Sequence, residues 1–207
     1  MCPLQQYTQL PFEILGDLID SFLRLSARRK YVIFDYDSTI AKVPINWPAA
    51  RIDFRHYLTR TFPALELPDE LRVDEMEAFA LAREPDQAER IFQYRVGIES
   101  ELEGAHELIE PTASLIDFLK SDGSYRLFIV SNNLHRTVEE GLLQFGFADA
   151  FDVIIGVDDA QVPKPAVQAF DLLVQQAGIV VEASIFVGDN DRTDGGFCKR
   201  LGMTYLN

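Results

Sequence analysis

Two aspartates separated by a single residue stand out first, in Asp35-Tyr36-Asp37-Ser38-Thr39, directly after the apolar run YVIF. Where a chain turns at the end of a strand, such a pair can set both carboxylates toward one crevice, although Asp, Ser and Thr are also ordinary turn and cap residues. Three further clusters add weight, because each falls in a loop or at the end of another apolar run. Ser131-Asn132-Asn133 follows RLFIV and opens a helical pattern, so it offers a hydroxyl and backbone N–H groups to an anion. Lys164 lies between Pro163 and Pro165, a rigid setting for an ammonium. After SIFV comes Gly188-Asp189-Asn190-Asp191-Arg192-Thr193-Asp194-Gly195-Gly196, with three more aspartates. Acids sharing one crevice repel strongly unless they are compensated. A hard divalent cation with oxygen ligands relieves this, and Mg²⁺ is the usual choice where phosphate also binds. A solvated, charged, glycine-rich loop would not explain why acids and a lysine collect at run ends. Together the clusters indicate a metal-assisted phosphoryl site.

Such a site needs a scaffold that brings run ends to one rim. The runs YVIF, RLFIV, FDVII and SIFV are too short for helices and lack polar alternation, which is how strands buried on both faces read; MTYLN closes the chain as another. Helical patterns lie between them. Residues 165–177 place Pro165 at a first helical position, Phe170, Leu173, Val174 and Ala177 on one face, and Gly178 at the stop; 134–145 ends at Gly146, and 112–121 begins behind Pro111. Strands alternating with single helices imply an α/β fold, a doubly wound, Rossmann-like parallel sheet with ligands beyond the carboxyl ends of its strands.

Two regions depart from this alternation. From about 43 to 110 the chain carries helical periodicity and no strand-like run: Trp47, Ile52, Phe54, Leu58 and Phe62 mark one stretch, with further helices over Glu70 to Arg83 and Gln87 to Glu107. This reads as a helical cap at 43–110 inserted into a core of 1–42 and 111–207. Residues 11–29 form an amphipathic pattern with Phe12, Leu15, Leu18, Ile19, Phe22 and Leu23 on its apolar side, expected to pack on the sheet or insertion in preference to a dimer contact.

The length of 207 residues bounds this to one domain, or one domain with an insertion. With 19 basic against 33 acidic residues, net -14, the chain repels nucleic-acid backbones and anionic membrane surfaces. A small anionic substrate stays compatible, since one metal ion or a few local cations invert the field of a pocket. Cys2 and Cys198 form neither a disulfide framework nor a metal-ligand spacing, and no stretch has the length and apolarity of a membrane span. These features point to a cytoplasmic protein, a monomer or homodimer, whose partner is a small phosphorylated metabolite and neither nucleic acid nor membrane.

The four clusters, in order, resemble the motifs of the haloacid dehalogenase-like hydrolase superfamily: Asp35-x-Asp37-x-Thr39, Ser131, Lys164, and Gly188-Asp189 with Asp194. The match runs from about residue 31 to the C-terminus, and the insertion is similar to the small helical cap of phosphoglycolate phosphatase-like members. The resemblance implies a Mg²⁺-dependent phosphatase. Asp35 would attack phosphorus and form an aspartyl-phosphate, and Asp37 would protonate the departing alkoxide and later take a proton from water. Ser131, Asn132 and Lys164 would bind phosphate, with Thr39 positioning the loop. Asp35, the main-chain carbonyl of Asp37, Asp189 and Asp194 would hold the metal, Asp194 being preferred over Asp191 on family spacing. Ser38 stands where the family more often has Gly, and Asp37 counts against dehalogenase chemistry, which has no leaving oxygen to protonate.

Substrate identity is expected in the cap. Arg51 and Arg55, four residues apart on one helix, could both face a second anionic group, with Lys42, His56 and Arg95 as weaker candidates. A phosphomutase with the same aspartyl chemistry, a non-catalytic relative that binds a partner, and a receiver-type phosphoacceptor are the competing readings.

Overall fold

The computed structural model describes residues 12–26, 29–100 and 104–207, with side chains described from residue 18 onward. Five strands form one parallel sheet: β1 (Tyr31–Phe34), β4 (Arg126–Val130), β5 (Val153–Ile155), β6 (Ser184–Val187) and β7 (Thr204–Leu206), in the spatial order β5-β4-β1-β6-β7. The expected runs therefore pair as buried strands, with Phe34 opposite Ile129 on one side and Val187 on the other.

Side chains alternate through the sheet with the two-residue period of a strand. Val32, Phe34, Leu127, Ile129 and Ile185 enter one apolar layer, covered by α1 (Phe12–Leu25), α5 (Glu110–Asp122) and α6 (His135–Phe145). Ile33, Phe128, Val130 and Phe186 enter the opposite layer, covered by α8 (Gln168–Ala177) and α9 (Gly196–Leu201). Helices on both faces make the sheet doubly wound. The chain runs outward from β1 through β4 to β5, then crosses to β6 and β7 on the other side. The order reverses beside β1, and the carboxyl ends at that reversal leave a crevice between outgoing loops.

The insertion contains α2 (Trp47–Thr61), α3 (Val73–Arg83) and α4 (Ala88–Ser100), with a 3-10 turn at Pro85–Gln87. Phe54, Leu58, Met76, Ala80 and Ile91 give these helices an apolar cluster of their own. Its stem is a short antiparallel pair, β2 (Ala41–Lys42) with β3 (Glu107–Leu108), where Ala41 meets Leu108 and Lys42 meets Glu107.

Several sequence expectations need correction. The pattern over Gln87 to Glu107 is not one helix throughout: α4 is described over Ala88–Ser100, and from Gly104, at φ 117, the chain is no longer helical and leads into β3. The helix expected from Pro165 begins at Gln168, because Ala166 N–H closes a turn on Pro163 O ahead of it. α5 starts at Glu110, with Pro111 in its first turn instead of before it. Gly146 and Gly178 do stop α6 and α8, at the left-handed φ values of 77 and 65 that glycine adopts without steric cost. A short four-residue helix, α7 (Val157–Ala160), follows β5.

In α1, Phe22 is fully buried with its ring centroid 5.5 Å from that of Tyr125 in an edge-to-face contact, and Leu18 and Ile19 pack beside it. The helix lies on α5 and β7. Leu23, Ile52 and Val174, expected on apolar faces, are exposed. Cys2 and the side chains of Phe12 and Leu15 lie outside the described residues. Among the described residues, no helix is long and apolar enough to cross a membrane.

Candidate active site

β1 delivers Asp35 at the reversal point, where its N–H donates to Val187 O of β6 at 2.9 Å. The chain then coils tightly: Tyr36 O accepts from the N–H groups of Thr39, Ile40 and Ala41. The coil needs a left-handed residue at 38. Ser38 takes φ 64, a region costing a non-glycine residue about 1–2 kcal/mol, which accounts physically for a preference for Gly at this position.

The loops after β5 and β6 close on Asp35. Lys164 Nζ donates to Asp35 Oδ1 at 2.7 Å and to Asp194 Oδ1 at 2.6 Å, with all three residues buried. Asp194 Oδ2 also accepts from Asn190 N–H at 3.2 Å. This approach requires glycine at 188, since a Cβ there would lie 2.5 Å from Asp194 Oδ2. Thr39 Oγ1 reaches Asp189 Oδ1 at 3.5 Å. One carboxylate oxygen from each of Asp35, Asp189 and Asp194 lies within 4.8 Å of the others. Asp191 is not in this group; it is exposed and accepts from Asn207 Nδ2 at 3.1 Å.

The charge balance explains the protonation behaviour. Burial pushes Asp35 up to about 7, and the neighbouring Asp194 adds to this while Lys164 opposes it. Asp189 is raised by burial and by Asp194. Asp37 is raised by burial, against the N–H groups of Val43 and Trp47. For Lys164, burial disfavours the ammonium, but Asp194 and Asp35 outweigh it and raise its pKa. Asp35, Asp189 and Asp194 thus share one ammonium, an excess of negative charge that favours a cation.

Asp35, Asp37, Lys164 and Asp189 line one wall of a crevice of about 440 Å³, and the insertion supplies the opposite wall. Asn132 also lines it, but its side chain is not free for phosphate. Its Oδ1 accepts Lys164 N–H at 2.7 Å, and its Nδ2 faces Lys164 O at 3.3 Å and Asp74 Oδ2 at 3.1 Å. Asn132 therefore clamps the main chain that carries the ammonium. Ser131 is buried; its hydroxyl accepts Asn133 N–H at 3.1 Å and donates to Asn133 Oδ1 at 3.3 Å. Asn133 reaches the crevice wall, whereas Ser131 is not part of it.

The insertion is tied to this rim by polar contacts that periodicity does not reveal. Arg95 is buried between Glu99 at 2.5 Å and Glu77 at 3.6 Å, and donates to Asn132 O at 2.8 Å. Glu99 Oε2 accepts Leu134 N–H, at the start of α6, at 2.9 Å. Asp37 is held by Val43 N–H at 3.1 Å and by Trp47 Nε1 at 2.8 Å. The sequence marks Trp47 only as an apolar helix position, and nothing in its spacing announces the carboxylate partner.

The expected pair Arg51 and Arg55 separates. Arg51 lines the crevice while donating to Asp69 O at 3.1 Å. Arg55 is spent on the carbonyls of Leu67, Pro68 and Asp69 and lies outside the crevice wall, so it does not face a second anionic group. Lys42 pairs with Glu107 at 3.4 Å on the surface, and His56 is exposed.

Comparison with known proteins supplies the lineage. The chain is 31% identical over 86 residues to the pyrophosphatase PpaX of Halalkalibacterium halodurans, covering 41% of this chain and 40% of that one. It is 34% identical over 95 residues to glyceraldehyde 3-phosphate phosphatase of Methanothermobacter thermautotrophicus, covering 46% and 41%. The matched segments thus span about two fifths of these curated relatives. Among solved structures, a HAD phosphatase from Thermococcus onnurineus superposes with a TM-score of 0.54 at 24% identity, covering 85% of this chain and 84% of that one, a likeness of fold. The model of the haloacid dehalogenase-like hydrolases matches residues 29–202, a stretch that takes in the first four strands of the parallel sheet, β1, β4, β5 and β6, and every acid around Lys164. The chain belongs to the haloacid dehalogenase-like hydrolase family.

Proposed function

We propose that this hydrolase is a phosphatase that cleaves a small phosphate monoester through a phosphorylated Asp35, with residues 43–110 as a cap over the core. The observation that carries the reading is the buried contact of Lys164 with Asp35 at the crevice floor, with Asp37 two residues along on the same loop. The ammonium favours the ionised, nucleophilic form of Asp35 and offers charge to the transferring phosphoryl oxygens. The relatives named as a glyceraldehyde 3-phosphate phosphatase and a pyrophosphatase support hydrolytic phosphoryl transfer.

In the first step Asp35 forms a bond to phosphorus as the ester P–O bond breaks, and Asp37 gives its proton to the departing oxygen. In the second, Asp37 takes a proton from the water that attacks the phosphorylated Asp35, which restores the carboxylate and releases inorganic phosphate. Thr39 steadies Asp189 across the loops, and Ser131 shapes the turn that presents Asn132 and Asn133.

The clustered carboxylate oxygens fit a hard divalent cation, and Mg²⁺ would be held by Asp35, Asp189 and Asp194 with the main-chain carbonyl of Asp37. When bound it supplies positive charge that offsets repulsion between Asp35 and a phosphate dianion. The test is phosphate release from a panel of monoesters with Mg²⁺ and with EDTA, for wild type and Asp35→Asn. Metal-dependent release, reduced by about 10⁴-fold or more in Asp35→Asn, is expected. Undiminished release from that variant would sink the reading.

A further inference from the structure

Trp47 is the sole tryptophan of the chain and the first residue of α2. Its indole N–H donates to Asp37 Oδ2 at 2.8 Å, while Val43 N–H donates to Oδ1 at 3.1 Å. A carboxylate offers about four lone-pair sites. One donor on each oxygen fixes the plane of the group and leaves the other sites open to the crevice that Asp37 and Trp47 both line. With Val43 alone, the carboxyl could rotate about a single anchor.

The two donors differ in what holds them. Val43 directly follows β2 and its side chain packs in the apolar layer of the core, whereas Trp47 packs on the helices of the insertion. Its ring packs on the apolar cluster of α2, α3 and α4, and the Arg95 guanidinium lies 5.2 Å from the ring centroid. Arg95 is fixed in turn by Glu99 and Asn132 O.

We propose that Trp47 is a positioning residue for Asp37, fixing its carboxyl so that the proton is delivered to the leaving oxygen of the ester. This rests on the reading of Asp37 as the acid. As Asp35 Oδ bonds to phosphorus, the ester P–O bond breaks with its electron pair staying on the leaving oxygen. That oxygen takes the proton of Asp37, which becomes a carboxylate. Hydrogen bonds to an ionised oxygen are shorter and stronger than those to a neutral one. The indole bond therefore strengthens as the proton leaves, which is stabilisation of the transition state over the ground state. An alkoxide needs that proton in order to depart. A p-nitrophenolate does not, so the contribution of Trp47 must depend on the leaving group.

The test exploits the single tryptophan. Biosynthetic replacement by benzothienylalanine keeps the bicyclic ring, exchanges the N–H for sulfur and changes position 47 alone. Turnover is measured on an alkyl phosphate and on p-nitrophenyl phosphate, with Trp47→Phe and Asp37→Asn alongside. Loss of the N–H should lower kcat on the alkyl ester by roughly tenfold, a fraction of the ~10²–10⁴ that a positioned acid supplies. The loss on p-nitrophenyl phosphate should be several-fold smaller, and KM should hold for both. Equal losses on the two esters, or no loss on the alkyl ester, overturn the role of Trp47. If the native chain cleaves neither ester, or Asp37→Asn loses both equally, the reading of Asp37 fails and takes the proposal with it.

Discussion

Lys164 and Arg95 are each buried between two carboxylates, one in the α/β core and the other in the helical insertion. Lys164 is a compact point charge with three donors, two of them directed at Asp35 and Asp194. Those acids belong to loops after β1 and β6 and share their surroundings with Asp37 and Asp189, so the core cluster keeps a surplus of negative charge open to the crevice. Arg95 is a planar fork. It is ion-paired with Glu77 of α3 and Glu99 of α4, and it donates to Asn132 O across the rim. The same acid–cation–acid arrangement thus leaves an excess of acid at the crevice in one place, and in the other ties the insertion to the rim. Burial of an ion pair alone does not distinguish the two clusters; acids that line the crevice beside Lys164 do.

Substituting each cation is the strongest way to break this contrast. Lys164→Met should lower turnover by about 10²–10³-fold, the usual effect of removing one preorganised donor to a transferring group. Arg95→Met should instead cost about 3–5 kcal/mol of stability, as expected when a buried carboxylate pair loses its cation, with a smaller loss of turnover while the protein stays folded. Thermal melts with Mg²⁺ and with EDTA separate the two. Added Mg²⁺ should recover stability in Lys164→Met, where Asp35 and Asp194 stay clustered with Asp189, and not in Arg95→Met. Equal recovery in both would dissolve the distinction.

The two clusters also differed in legibility. Asp35, Lys164 and Asp189 were readable because each follows, or sits in the loop after, a short apolar run, and in a parallel sheet those ends share one rim. The doubly wound sheet itself was readable from the same runs, since a strand covered on both faces admits no polar alternation. Arg95 reads from the sequence only as a weaker substrate-facing candidate, and its burial is hidden because the buried face of α4 reads Ile91, Arg95, Glu99, a stripe that periodicity assigns to solvent. The i,i+4 spacing of Arg95 and Glu99 is a signal, but it fits an exposed helix pair equally well. Asp37 and Trp47, or Glu99 and Leu134, meet only because the insertion docks on the rim, and no local pattern encodes that docking.

A pH series sharpens the comparison through Glu77, whose two carboxylate oxygens are buried without a hydrogen-bond partner. Burial pushes Glu77 up to about 7 from an ordinary 4.5, with Arg95 opposing. A carboxyl whose pKa is raised on folding contributes stability that is fully present below its unfolded value and is lost as pH rises through the folded one. Glu77→Gln, neutral throughout, should therefore match wild type near pH 4 and gain on it between about pH 4.5 and 7. The expected gain is on the order of 1–3 kcal/mol, read from urea midpoints. Asp35 has the same sign, and Mg²⁺ should erase its share and leave that of Glu77. Parallel curves for the two proteins would show that Glu77 carries no such penalty.

The smallest expected effect separates the two arginines of α2 and asks what the insertion wall does for a substrate. Arg51 and Arg55 both reach the carbonyls near Asp69, yet only Arg51 lines the crevice, where Arg72 joins it with an exposed side chain. A guanidinium there can meet a second anionic group of a bound ester, whereas Arg55 can only tether the loop. Arg51→Ala should raise KM for an ester carrying a carboxylate by roughly 5–10-fold, the worth of one charge-assisted contact of about 1 kcal/mol at a half-exposed site. KM for an uncharged ester should change by no more than about twofold. Arg55→Ala should leave the ratio between the two esters unchanged and lower stability by about 1 kcal/mol through its lost carbonyl contacts. If Arg51→Ala raises both KM values alike, the guanidinium serves the loop as Arg55 does. Recognition of the leaving group would then rest on Arg72 and the apolar wall of Trp47 and Pro48.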